Sequence, residues 1–181
     1  MEQKDYKLEI VKVLLHGKSH IRGIANTLGT NHMIISRKMK ELARNNIVDF
    51  LQEGKNKSFF LKKTAESRAI TIMAENYNII MAISKYPNLR VAVEKIQKNK
   101  DITLAIIFGS YAKGLATNKS DVDIYISTNN REIKKELQLI DSKLSIKIGQ
   151  IDAEIPLAKE IEKNHIIVKG VEEYYEKNKL F

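Results

Sequence analysis

Between Tyr6 and Leu15 the apolar residues fall at positions 8, 10, 11, 14 and 15, the stripe of an amphipathic helix. Gly17 ends it. Ile21–Leu28 predicts a short second helix, stopped by Gly29. Asn31 stands where it can cap a third, with Ile35, Met39 and Leu42 along one face. Two short apolar runs, residues 47–51 and 58–61, flank Glu53-Gly54-Lys55-Asn56-Lys57 and predict a hairpin with a basic tip. Residues 64–84 read as one long helix that stops before Pro87. Its apolar positions 69, 70, 72, 73, 77, 80 and 83 form a broad face. That helix is expected to join two domains or to pack against a second copy of the chain. Leu89–Lys98 predicts a further helix.

From there the rhythm changes. Ile102–Phe108 is a nearly continuous apolar run, as in a strand covered on both faces. Gly109-Ser110 follows it directly. Residues 121–126 alternate, with Val122, Ile124 and Ile126 on one side and Asp121, Asp123 and Tyr125 on the other. A helix over about 130–144 and a third strand over about 145–155 come next, and Pro156 opens a C-terminal helical stretch. The pattern predicts an α+β chain: a first domain over 1–63, a helical connector over 64–87 and a second domain over 88–181.

Composition sharpens this picture at one point. Residues 1–64 hold 13 Lys and Arg against 6 Asp and Glu, so +7 of the formal +9 lies in the first third of the chain. A localised basic excess points to a polyanion partner, most often nucleic acid. With no cysteine there is neither a disulfide framework nor a thiolate metal site. No apolar run approaches the ~18 residues of a membrane span, and the charged start (Glu2, Lys4, Asp5) lacks the apolar core of a signal peptide. A cytoplasmic protein without a membrane partner is the expectation. His16, His20, His32 and His165 show no ligand spacing.

The second domain carries the residue types that metal-dependent nucleotidyl transfer needs. A glycine between a strand end and a helix start permits close backbone approach to a triphosphate, and free helical N–H groups favour phosphate. Ser110 adds a hydroxyl donor, and Lys113 lies one turn further on. Magnesium takes hard oxygen ligands, usually one or two carboxylates with substrate phosphates and water. Two aspartates at i and i+2 of a strand, Asp121 and Asp123, point the same way. A third carboxylate would serve as general base or as a ligand of a second ion. Asp152 is the first choice for it and Glu154 the alternative.

Gly109-Ser110, ten residues, then Asp121-x-Asp123 resembles the signature of the DNA polymerase β-like nucleotidyltransferase superfamily. The stretch IIFGSYAKGLATNKSDVDIYIS is similar to its minimal nucleotidyltransferase branch, and IDAEI and VKGVEEYYE fit loosely. The resemblance covers roughly 101–181. It implies a small mixed sheet flanked by helices, Gly109 and Ser110 against the triphosphate of ATP or another NTP, two Mg²⁺ ions, and Asp121, Asp123 and Asp152 as their ligands. Members often have Arg where Lys113 stands.

The first domain resembles a winged helix-turn-helix over about residues 5–63. Ala25 would let two helices approach closely, and Gly29 would make the turn. The third helix would enter the major groove with Asn31, His32, Met33, Ser36, Arg37 and Lys40 exposed, and Arg37 could pair with a guanine edge. Lys55 and Lys57 at the wing tip would meet phosphates.

Together these readings predict transfer of NMP, with AMP from ATP as first choice, to a macromolecular hydroxyl. The 29 residues after Asp152 leave little room for a further acceptor domain. Resemblance to the minimal branch implies an antitoxin that adenylylates a tyrosine of a partner HEPN-type ribonuclease toxin, with DNA binding for autoregulation. A winged-helix regulator whose transferase domain only senses nucleotide or holds a partner is the second expectation. An RNA-end nucleotidyltransferase is the third.

Overall fold

The computed structural model describes residues 4–149, 156–178 and 180. It has two compact units that divide between Ala74 and Glu75.

The first unit opens with α1 (Tyr6–Leu15), whose N-cap Asp5 accepts from the Lys7 and Leu8 amides at 2.9 and 3.4 Å. The helices α2 (Ile21–Leu28) and α3 (His32–Arg44) follow, joined through Gly29, Thr30 and Asn31. Asn31 caps α3 by accepting from the Met33 amide at 2.8 Å. The apolar stripes of all three helices meet: Ile10, Val11, Ile24, Ala25, Ile35, Met39 and Leu42 are buried. The strands β1 (Val48–Glu53) and β2 (Asn56–Leu61) pair antiparallel from Val48↔Leu61 to Glu53↔Asn56. A bridge from Ser19 to Phe59 ties the hairpin to the segment before α2. Order and packing are those of a winged helix-turn-helix. Both strands run longer than the apolar runs predict, because ladder hydrogen bonds carry pairing through Gln52↔Lys57 and Glu53↔Asn56 down to a two-residue turn.

The long helix α4 (Ala65–Lys85) begins in the first unit and ends in the second. In the second unit α5 (Leu89–Lys98) precedes β3 (Ile102–Phe108), the single turn α6 (Gly109–Ala112) and β4 (Val122–Thr128). Then come α7 (Ile133–Gln138), β5 (Leu144–Ile148), α8 (Pro156–Lys163), β6 (Ile166–Lys169) and α9 (Val171–Lys177). The mixed sheet has the order β5-β4-β3-β6, with β4 and β5 parallel and the other pairs antiparallel. On one face Ile107, Ile124 and Ile146 pack with Leu89, Val93 and Ile96 of α5 and Ile133 and Leu137 of α7.

Three expectations are corrected here. The helix predicted over 130–144 is only α7, because Leu144 and Ile146 serve β5 rather than a helical stripe. The third strand predicted near 145–155 is β5, Leu144–Ile148; residues 150–155 lie outside the described residues. The C-terminal stretch contains a strand, β6, which covers the edge of β3 opposite β4. Ile166, Ile167 and Val168 are β-branched and buried, which suits them to that position. The turn from β6 into α9 requires Gly170: its φ is +79°, and a Cβ there would lie 2.3 Å from the Thr103 carbonyl oxygen.

Candidate active site

β3 and β4 lie antiparallel with Phe108 opposite Asp123. The next residue after Phe108 is Gly109, with φ +68°, where the chain leaves the sheet and makes the turn of α6. Register and turn together bring the Asp123 carboxylate over the glycine. A Cβ on Gly109 would lie 2.6 Å from Asp123 Oδ2. Gly109 is buried, while Ser110 and Asp123 are half-buried and open to the same end of the sheet. Asp121 is exposed and lies one residue before the strand rather than on it, since β4 begins at Val122. The Val122 amide donates to the Lys143 carbonyl at 2.9 Å, which anchors the chain beside Asp121.

Tyr111 holds α6 in place. Its ring is buried, packs edge-on against Tyr86 at 4.9 Å, and its hydroxyl accepts from Asn88 Nδ2 at 3.0 Å. Lys113, at the end of the turn, forms an exposed ion pair with Glu160 of α8 at 2.8 Å. Exposed pairs contribute about 0–1 kcal/mol, so a stronger anion would displace this one. Tyr125, expected on the same side of β4 as Asp123, is buried; its hydroxyl donates to the Gly149 carbonyl, and the helices α5, α8 and α9 pack on β3. Asp152 and Glu154 lie outside the described residues. Among the described residues no three His, Asp or Glu side chains are grouped to share one ion.

Residues 92–174 match the family model described as polymerase beta, nucleotidyltransferase. That match identifies a nucleotidyltransferase domain over residues 92–174 of the second unit. Two side chains on its acid face have no counterpart in the Gly-Ser-x10-Asp-x-Asp spacing. Ser145 of β5 pairs with Asp123, and Lys147 with Tyr125. Only the parallel β4–β5 register reveals them, and no local pattern carries that register.

No curated protein matches the chain. Among solved structures, it is similar to the transcriptional repressor BigR from Xylella fastidiosa, with 18% identity over 44% of this chain and 76% of that one and a TM-score of 0.37. The adhesin competence repressor AdcR from Streptococcus pyogenes gives 12% identity, 49% and 67% coverage and a TM-score of 0.41. The homodimeric winged helix-turn-helix domain of Mb0332 from Mycobacterium bovis gives 16%, 44% and 71%, and 0.34.

In the first unit, α3 exposes Asn31, His32, Met33, Arg37 and Lys40, while Ser36 is half-buried and Ile35, Met39 and Leu42 face inward. At the wing Lys55 and Lys57 are exposed, and Lys57 Nζ lies 3.9 Å from the centroid of the Phe50 ring. A hydrogen-bonded ion pair with Lys18, next to the wing's turn, holds the Glu53 carboxyl below its ordinary value. Among the described residues no helix is long and apolar enough to cross a membrane.

Proposed function

We propose that the nucleotidyltransferase domain transfers an NMP group from a Mg-NTP, ATP in the first instance, to a macromolecular hydroxyl. The reading rests on one observation: the Asp123 carboxylate lies directly over Gly109, with only a glycine hydrogen between them. The donor set fits magnesium. Asp121 and Asp123 offer hard carboxylate oxygens, and glycine at 109 is what lets the Asp123 carboxylate stand against the turn after β3. Asp121 and Asp123 would hold the ion, with Asp152 as third ligand and Glu154 as its alternative. When bound, the ion neutralises charge on the phosphates.

The chain's own residues do the rest. Gly109 lets the phosphates approach the backbone, and the Ser110 hydroxyl donates to a phosphate oxygen. Lys113 exchanges Glu160 for a phosphate. The acceptor oxygen attacks the α-phosphorus, its proton passes to the third carboxylate, and the bond to the β-phosphate oxygen breaks as pyrophosphate leaves. A HEPN-type toxin, modified on a tyrosine hydroxyl, is the acceptor we favour. The first unit would bind the operator of such a pair, as a homodimer reading two half-sites.

The test is incubation with Mg²⁺ and α-labelled ATP in the presence of co-purified protein. Label should move to that protein and be lost, by 10²-fold or more, in Asp121→Ala and Asp123→Ala. Label on RNA would favour an RNA-end nucleotidyltransferase. The basic, exposed face of α3 favours a second reading, a DNA-binding regulator whose transferase domain senses nucleotide without turnover. DNA retardation with no label transfer to any acceptor would decide for it.

A further inference from the structure

The sheet face that bears Asp123 also bears a cation outside the nucleotidyltransferase signature. Lys147 belongs to the cross-strand row Ile106–Tyr125–Lys147 on the edge strand β5. Residues paired across a sheet project from the same face, so this row and the next, Phe108–Asp123–Ser145, share one face. The Lys147 ammonium does not stay in its own row. Nζ lies 5.3 Å from the ring centroid of Phe108. Phe108 is two strands from β5, about 10 Å away at the usual strand spacing. The Lys147 ammonium and the Phe108 ring therefore approach each other across β4.

A lysine on an edge strand has an ordinary use, which is to blunt the edge against pairing with another chain. That use needs the ammonium to point outward, away from the sheet. The Lys147 ammonium, although exposed, stands near the Phe108 ring instead. Among the described residues no carboxylate lies within ion-pair distance of it, whereas Lys113, the cation the signature spacing suggests, is held by Glu160. A triphosphate beside two carboxylates is a crowd of like charge that a divalent ion only partly offsets. An exposed ammonium near an aromatic ring beside that site is placed to relieve it.

We propose that Lys147 is a further nucleotide-contacting residue, whose ammonium binds the phosphate chain of the donor nucleotide on the sheet face that bears Asp123. This rests on the nucleotidyltransferase reading above. The experiment measures binding of each of the four α,β-methylene NTPs with Mg²⁺ to the full chain, as wild type, Lys147→Ala, Lys147→Arg and Asp123→Asn. The bound triphosphate should lose roughly tenfold in affinity in Lys147→Ala, the scale of one charge-assisted hydrogen bond, and regain most of it in Lys147→Arg. The loss should shrink as salt rises, with melting temperature unchanged. Unaltered binding in Lys147→Ala, alongside loss in Asp123→Asn, overturns the inference and leaves the nucleotidyltransferase reading standing. A loss that Lys147→Arg does not restore, with a lowered melting temperature, makes Lys147 structural and also overturns it. Absence of binding by the wild type to all four analogues overturns both.

Discussion

At Gly109 a single hydrogen separates the backbone from the Asp123 carboxylate. Alanine there meets two obstacles. The φ of +68° puts a Cβ in the left-handed region, and that Cβ would lie 2.6 Å from Oδ2. The first costs about 1–2 kcal/mol; the second is relieved only if Asp123 rotates off its present position. Gly109→Ala should therefore abolish Mg-nucleotide binding while lowering stability by no more than a few kcal/mol. Calorimetric titration and a thermal melt on the same sample separate the two effects. The residue types of this site were legible from spacing alone. Their contact was not, because it depends on which residue of β4 stands opposite Phe108.

Among the elements, α1, α2 and α5 coincide with their apolar stripes, Tyr6–Leu15, Ile21–Leu28 and Leu89–Lys98. In α1 and α2 helical periodicity and a glycine stop signal agree; in α5 the apolar stripe alone marks the helix. β6 was not legible: Ile166–Lys169 is too short for a period to show, and it becomes a strand by covering the edge of β3. The wing shows what an element can be asked to do. Lys55 lies in its turn and Lys57 on β2 just after it, both exposed, so they would contact phosphates rather than bases. The double variant Lys55→Ala/Lys57→Ala should weaken DNA binding about equally across sequences and reduce the salt slope by about 2. Arg37→Ala should instead relax preference at one base position, with a cost of about 1–3 kcal/mol at that position. Fluorescence anisotropy over a salt series, with several duplexes, distinguishes the two behaviours.

For the whole molecule, charge and burial set its response to pH. Most of the net +9 lies in the first third of the chain, where a polyanion would be drawn to it. In the second unit Tyr174 and Tyr175 are buried, and burial, with the Glu75 carboxylate second, pushes both phenols far above the ordinary range. The Tyr175 hydroxyl donates to Glu75, itself 2% exposed, and His165 Nε2 lies 3.6 Å from the same carboxylate oxygen. A phenol raised in the folded state keeps its proton after the unfolded chain, with a value of about 10, has lost its own. Stability is then complete below about pH 10 and falls as pH rises above it, by up to ~1.4 kcal/mol per pH unit for each phenol. Chemical denaturation between pH 8 and 11.5 should show that fall. In Tyr175→Phe the slope should be shallower. That variant should also start about 1–3 kcal/mol less stable, because Glu75 loses a buried donor.

Residue order by itself determined the helices with clear stripes, the strand that ends in Gly109-Ser110, the paired aspartates and the concentration of positive charge. These are local properties, carried by periods of 3.6 or 2 and by turn chemistry within a few residues. Tertiary structure decided that Asp123 stands over Gly109, that β6 covers β3, that Lys113 meets Glu160 and that the Lys147 ammonium comes near the Phe108 ring. Each of those depends on pairing between strands or helices far apart in the chain, and a register shift of one residue would turn the same side chains to the other face.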